Sequence, residues 1–390
     1  MKNKQEKGIT LIALVVTIVV LLILAGVSIS LVLNNNGVIS KAKDAKNQYA
    51  EAQTNEERQL NEVSDWIDTK VGDTTGGGNS NYNPADDGVP IPAGFVYVGG
   101  TKASGLVISD ATADKEKYKG QTTVGTDLEG NQFVWIPVEN IADYKRTAYA
   151  ENFDTGTIDS STNSTKINVD SSSSSSRYYY TEAMPSDEET SVEKNKGYYI
   201  GRYEAGDKES TEAKTLRSSE ASTSNTITIK AKQAPYNYVT RTQAKVLAEG
   251  FGAKQNYKNV KTKLVSSYAW DTAIAFIQKT VSDYGNSSPQ GNYHNTTFDY
   301  TDITTGASQT KARWSITLIP TGQTTGVCNI YDMGGNVWEW TTESCTSTNY
   351  PYTNRGGCYT TTTADSSAGD RSGDTASAYG TVGFRATLFL

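Results

Sequence analysis

The chain has 390 residues and a formal net charge of −7, which leaves room for two domains and an appendage but gives no basic face of the kind that binds nucleic acid. Its single histidine, His294, excludes metal sites built on several imidazoles and paired-histidine acid–base chemistry. Three cysteines exclude a disulfide-dense scaffold and a four-thiolate zinc or iron–sulfur site within one chain. Tyrosine outnumbers phenylalanine 24 to 8, a bias that suits half-exposed sheets and binding surfaces, because the phenol joins an apolar body to a polar tip.

Ile9 to Leu33 is a run of 25 uncharged residues. As a helix it spans roughly 37 Å, enough for a hydrocarbon core of about 30 Å. Lys2, Lys4 and Lys7 precede it and place the short leader in the cytoplasm and the rest of the chain outside. Val38, Ala42, Ala45, Tyr49 and Ala52 then recur at helical spacing, with Leu60, Val63, Ile67 and Val71 after a polar gap, predicting an amphipathic helix to about Lys70. A greasy helix running into an amphipathic one, behind Lys7-Gly8-Ile9-Thr10-Leu11-Ile12, resembles the N-terminus of a type IV pilin. The resemblance implies removal of residues 1–8 by a prepilin peptidase between Gly8 and Ile9, a transmembrane and amphipathic stalk over 9–70, and other pilin-like subunits as partners. Pilins usually carry Glu at the fifth mature position, where this chain has Ala13, a departure commoner in minor or tip subunits. An unprocessed signal anchor is the plainer alternative.

Residues 71–89, with Gly76-Gly77-Gly78 and Asn83-Pro84, are expected to be a flexible linker and 90–390 the globular part. Strand-like runs occur at Phe95–Val98, Phe133–Val138 and Tyr198–Tyr203, and helical patterns at Thr240–Phe251 and Ser267–Ile277, which together argue for an α+β fold. The low-complexity stretch near 154–177, with Ser171 to Ser176 unbroken, is expected to be a surface loop or an insertion.

Near the C-terminus, NIYDMGGNVWEW (Asn329–Trp340), RGGCY (Arg355–Tyr359) and GFRATL (Gly383–Leu388) follow in order. These blocks resemble the formylglycine-generating-enzyme-like (sulfatase-modifying factor) family, a branch of the C-type lectin fold. Asp332, Gly335, Val337 and Glu339 match the family's positions for one calcium ion, and two carboxylates with two main-chain carbonyls in a glycine-containing turn are chemically suited to a hard cation. Local hydrogen bonding that holds the turn is the alternative for the two acids. Trp338 and Trp340 are expected in the core against Phe384 and Leu388. Family members that oxidise cysteine use a thiol pair between the RGG and GFR blocks, and no cysteine lies from Tyr359 to Val382; catalysis of that type is therefore not expected, and a divergent thiol- or metal-dependent oxidase is the runner-up. Cys345 and Cys358 flank an expected hairpin and are candidates for an extracellular disulfide, with Cys328 left as a small buried hydrophobe. His294 is expected to be solvated in a polar loop.

Thr353 to Thr381 contains no Leu, Ile, Met, Phe or Trp, so flanking strands must hold it. Its Tyr, Ser, Thr and Asp content is that of a paratope, and it resembles the variable regions of proteins diversified by retroelements on a lectin-like scaffold. The resulting expectation is a recognition or adhesion protein at the cell surface. Region 341–382 would be splayed outward, with Tyr352, Tyr359, Thr361, Asp365, Asp370, Arg371, Asp374 and Tyr379 meeting a protein or carbohydrate ligand. A purely structural minor pilin is the third alternative.

Overall fold

A computed structural model of the protein describes residues 15–16, 18–21, 81–149, 153–159, 164–169, 179–208, 224–363 and 366–390. Contacts divide the chain into Met1–Gly77 and Gly78–Leu390. In the first unit residues 15–16 and 18–21 are helical, with exposed apolar side chains. Among the described residues no helix is long and apolar enough to cross a membrane. The Gly8–Ile9 cleavage point, most of the apolar run, the amphipathic pattern to Lys70 and the Ser171–Ser176 run lie outside the described residues.

The second unit is built on two sheets. Strands β1 (Val96–Gly99), β2 (Val107–Ser109), β3 (Gln132–Pro137), β7 (Gly197–Gly201), β11 (Lys261–Leu264) and β18 (Ala386–Phe389) form a six-stranded antiparallel sheet in the order β1-β2-β3-β7-β18-β11. Strands β4 (Phe153–Asp159), β5 (Ser164–Val169), β6 (Tyr179–Thr181), β14 (Trp338–Cys345), β15 (Tyr352–Arg355) and β16 (Arg371–Asp374) lie in the order β16-β15-β14-β6-β5-β4, with β17 (Val382–Phe384) parallel to β14. Short pairings join β8 (Gly206–Asp207) to β9 (Ile227–Thr228) and β10 (Ala234–Pro235), and β12 (Phe298–Thr301) to β13 (Ser308–Lys311). Part of the low-complexity stretch is thus the β4–β5 hairpin rather than a loop, and its Thr and Ile supply β-branched residues.

Helix α1 (Ser186–Asn195) puts Asp187, Glu188 and Glu189 in its first turn and Lys194 in its last, the polarity the helix dipole favours. Helix α2 (Arg241–Lys254) starts at a capping box between Thr240 and Gln243 and buries Ala244, Leu247, Ala248 and Phe251, a stripe at i, i+3, i+4 and i+7. Helix α3 (Ser267–Ile277) is capped by Ser266 and buried on almost every side. The α2 and α3 expectations hold; α1 was not foreseen, because its only buried apolar side chain is Val192.

The domain begins earlier than the expected linker boundary. Tyr82 and Val89 are buried, and Tyr82 packs on Tyr97 at 5.8 Å and accepts a hydrogen bond from the Lys102 amide at 2.9 Å. At the other end β18 is an interior strand, with Thr387 opposite Ile200 and Lys261 opposite Phe389. Trp340, Phe384 and Leu388 share one core, and the Trp340 indole donates to the Val239 carbonyl at 2.8 Å.

Candidate functional site

Strands β14, β15 and β16 carry the region in which ligand contacts were expected. Tyr352 faces Asp374 and Asn354 faces Ser372 across the β15–β16 pair, so these four share one side of the sheet and Thr353, Arg355 and Arg371 share the other. The second side points inward. Arg355 and Arg371 are buried and meet Glu343 from β14, Asp271 from α3 and Arg146 from the segment before β4. Arg371 Nε lies 3.0 Å from Glu343 Oε2, and its Nη2 contacts Asp271 Oδ2. Arg355 Nη2 reaches Asp271 Oδ1 at 2.7 Å, with its guanidinium over the Trp270 ring at 5.6 Å. Burial alone would raise the Glu343 carboxyl, but Arg371, Arg146 and Arg355 hold it down at about 2.

Arg371 is therefore a structural ion, not a ligand contact. Tyr359 is also buried, beside Cys358, Leu318 and Val337. Burial pushes the Asp370 carboxyl up to about 6. Thr361 is half-buried, and its carbonyl accepts from the His294 amide at 2.8 Å. Asp365 lies outside the described residues. Tyr352, Asp374 and Tyr379 remain accessible to a partner, joined by the exposed Tyr350. Arg241 of α2 stacks its guanidinium on the Tyr352 ring at 4.9 Å while its Nε and Nη2 donate to the carbonyls of Thr341 and Thr342. Asn354 donates to Asp374 at 3.1 Å, and the Tyr238 amide donates to the Tyr379 carbonyl at 3.0 Å. The expected outward splay is thus half right: a period-2 strand presents only alternate residues.

The motif blocks themselves act as pins. Arg385 grips Glu339 with two bonds, Nε to Oε2 at 3.0 Å and Nη2 to Oε1 at 2.7 Å, and donates to the carbonyls of Gly201 and Tyr331. Asp332 accepts from the Gly322 amide at 2.6 Å and from the Thr324 hydroxyl at 2.8 Å. Cys328, Asn329, Asp332, Gly335 and Asn336 all have positive φ. Asn, Asp and Gly tolerate that region best, so the turn's own winding asks for those residue types. Both Glu339 oxygens are taken by a guanidinium, whose charge opposes a cation at the same place. The set Asp332, Gly335, Val337 and Glu339 does not fit calcium here; the acids hold the turn. In the RGG block, a Cβ on Gly356 would lie 2.5 Å from the Met333 carbonyl oxygen, and one on Gly357 2.6 Å from that of Ser366; both glycines have positive φ.

The three cysteines are free. The β14–β15 register sets Glu339 opposite Arg355 and Ser344 opposite Tyr352, which puts Cys345 and Cys358 at opposite ends of the hairpin, roughly 20 Å apart at about 3.3 Å per residue. A disulfide needs Cα atoms within about 7 Å, so the expected Cys345–Cys358 bridge does not form. Cys328 is half-buried near the Thr280 hydroxyl. His294 is less solvated than expected: its Nε2 lies 2.8 Å from the Trp314 carbonyl oxygen and its ring meets the indole edge-on at 5.5 Å.

Sequence reasoning missed a second buried acid. Glu182 accepts from the Ser267 amide at 2.8 Å and from the Ser267 and Thr342 hydroxyls. Burial pushes its carboxyl up to about 7, against the pull of the two hydroxyls. A carboxyl raised from its ordinary 4.5 contributes its full stabilisation below 4.5 and loses it as pH rises through about 7. The melting temperature is expected to fall between pH 5 and pH 8, and Glu182→Gln to flatten that slope; a calorimetric pH series measures it.

Two open clefts in the described surface, of about 510 and 590 Å³, are lined by Asp110, Asn131, Lys230 and Tyr257 and by Asp187, Lys194, Lys261 and Phe389, among others. Neither is lined by a residue of region 341–382.

The profile of the Sulfatase-modifying factor enzyme 1-like domain matches residues 78–388. No curated protein sequence matches the chain. Among solved structures the chain is similar to PvdO from Pseudomonas aeruginosa (14% identity, TM-score 0.35, covering 69% of this chain and 98% of that one) and Treponema denticola variable protein 1 (13%, 0.29, 69% and 98%). It is also similar to CarF (15%, 0.28, 40% and 68%). The profile match extends over most of the chain and spans the three C-terminal blocks: the chain belongs to the Sulfatase-modifying factor enzyme 1-like domain family.

Proposed function

We propose that this is a non-catalytic recognition protein displayed at the cell surface. The pilin-like segment 9–70, processed at Gly8–Ile9, would hold it in the membrane or in a pilus as a minor or tip subunit. The family domain would bind an extracellular protein or carbohydrate through the outward side of β15 and β16. The observation that supports this most is the division of labour across those strands. Arg355 and Arg371 are locked into the interior, whereas Tyr350, Tyr352, Asp374 and Tyr379 sit on the outer side or beyond it. Substitution at the outer positions leaves the ion network intact, which is what a surface diversified by a retroelement requires. Free cysteines in three separate parts of the core disfavour the oxidase reading, which needs thiols side by side.

The double variant Tyr352→Ala/Tyr379→Ala is expected to weaken binding of the purified protein to target cells at least tenfold, the loss of about 1.4 kcal/mol or more that aromatic hot spots carry, with the fold kept and a melting temperature lowered only by the loss of the Arg241 stack. Flow cytometry with labelled protein reads the effect. Unchanged binding, or copper-dependent thiol oxidation by the wild type, overturns the reading. A nearby template copy in the flanking DNA, differing only at adenines, would establish diversification.

A further inference from the structure

The loop after β13 carries two exposed apolar side chains, Trp314 (57%) and Ile316 (63%). Trp314 has φ +69°, a conformation that costs a bulky L-residue roughly 1–2 kcal/mol and is held only where the surroundings impose it. Here they do. The Trp314 amide donates to the His294 carbonyl at 2.7 Å, and the His294 Nε2 meets the Trp314 carbonyl oxygen at 2.8 Å. The base of the loop is stapled by the buried Lys311, whose ammonium donates to the carbonyls of Tyr293 and Thr296, and by Asn292, whose amide donates to the Thr317 carbonyl at 2.9 Å. Arg313 stacks on the indole at 4.8 Å. The result is an exposed aromatic plate held in a strained backbone by bonds to His294.

The rim of this plate is rich in hydroxyls and carries one charged side chain, Arg313. Thr361 is tied to His294 through its carbonyl, and Asn295 exchanges hydrogen bonds with Thr363 at 2.9 and 3.0 Å. Arg313 and Ser315 flank Trp314 in sequence, and Ser315 and Thr317 flank Ile316. In the neutral imidazole with Nε2 donating to the Trp314 carbonyl, the His294 Nδ1 is an acceptor. We infer that Trp314 is the stacking platform of a saccharide site, taking the C–H face of a β-gluco-configured pyranose on the side of the indole away from Arg313, with Ile316 beside it and the hydroxyl and amide rim on the sugar hydroxyls. That sugar class fits because its equatorial hydroxyls leave both ring faces apolar. The loop places a single cation, Arg313, over the indole itself, and a lipid-headgroup surface would call for a basic cluster instead. The site uses none of Tyr350, Tyr352, Asp374 and Tyr379 and needs no metal.

The test is titration of the full chain, in a detergent without a sugar headgroup, with cellotetraose and with tetra-N-acetylchitotetraose, read by calorimetry and tryptophan fluorescence. Saturable binding of at least one is expected, at least tenfold weaker in Trp314→Ala and largely kept in Trp314→Tyr. Trp314→Gly should abolish binding with a melting temperature no lower than wild type, since glycine relieves the backbone. Tyr352→Ala/Tyr379→Ala should bind the sugars as wild type does. Absence of saturable binding to either sugar, or undiminished binding in Trp314→Ala, overturns the inference. So does loss confined to the Tyr352/Tyr379 variant, which would leave the recognition reading standing, and so does Trp314-dependent binding to phosphatidylserine vesicles without sugar binding.

Discussion

Arg371→Ala is expected to destabilise the domain by about 3–5 kcal/mol, the usual effect of removing one partner from a buried ion pair, against total stabilities of about 5–15 kcal/mol for a domain. The substitution strips Glu343 of its 3.0 Å partner and Asp271 of one of its two guanidiniums, all at fully buried side chains. Arg371→Lys should recover little, because one ammonium cannot bridge two carboxylates as a planar fork does. Asp374→Ala, three residues along the same strand but on its outer side, should cost less, about 1–2 kcal/mol, for its half-exposed bonds from Asn354 and from the Thr375 amide. Urea midpoints of the three variants measure the contrast. A folded Arg371→Ala protein that has lost only ligand binding would return Arg371 to the contact surface. The same network sets an acid limit. The Glu343 carboxyl lies below its ordinary 4.5, so the stabilisation is complete above that value and is lost as pH falls towards about 2.

Arg385→Met is expected to cost as much or more. It leaves Glu339 buried without a cation, removes donors from the carbonyls of Gly201 and Tyr331, and takes a positive charge from the neighbourhood of Glu204 and Asp332. Burial pushes the Glu204 carboxyl well above the usual range, and its Oε2 has no hydrogen-bond partner, so this corner has little charge compensation to spare. The double variant Arg385→Met/Glu339→Met should recover part of the loss, because apolar side chains of similar size tolerate burial that a lone carboxylate does not. A double-mutant cycle from urea denaturation gives the coupling. A melting temperature that drops on adding EDTA would show instead that Glu339 holds a cation.

Much of the fold was legible. The apolar spacing over Thr240–Phe251 announced α2, and the aromatic, β-branched runs announced β3 and β7. These signals are local: a helix face or a strand pleat is written in residues three, four or two positions apart. The family blocks were legible too, but the choice between cation ligands and turn-holding hydrogen bonds for their acids was not. Asp332 and Glu339 have the spacing of oxygen ligands, and the sequence does not show that Arg385, 46 positions away, occupies the second of them. Trp314 carried no signal beyond its identity, because its exposure comes from backbone bonds to His294.

The sequence by itself determined that the chain has an apolar N-terminal run, an α+β family domain, a single histidine, no cysteine between the RGG and GFR blocks, and a C-terminal segment unable to support itself. Only the tertiary structure decided which residues of that segment face inward. Strand register settles it: Tyr352 and Asp374 are paired on one side of the sheet, while Arg355 and Arg371 are turned towards Glu343 and Asp271. A shift of one residue would have exchanged the two sets, and composition is blind to that choice. The energy that makes it is the pairing of guanidiniums with two carboxylates from distant parts of the chain, in an interior where neither charge could remain alone.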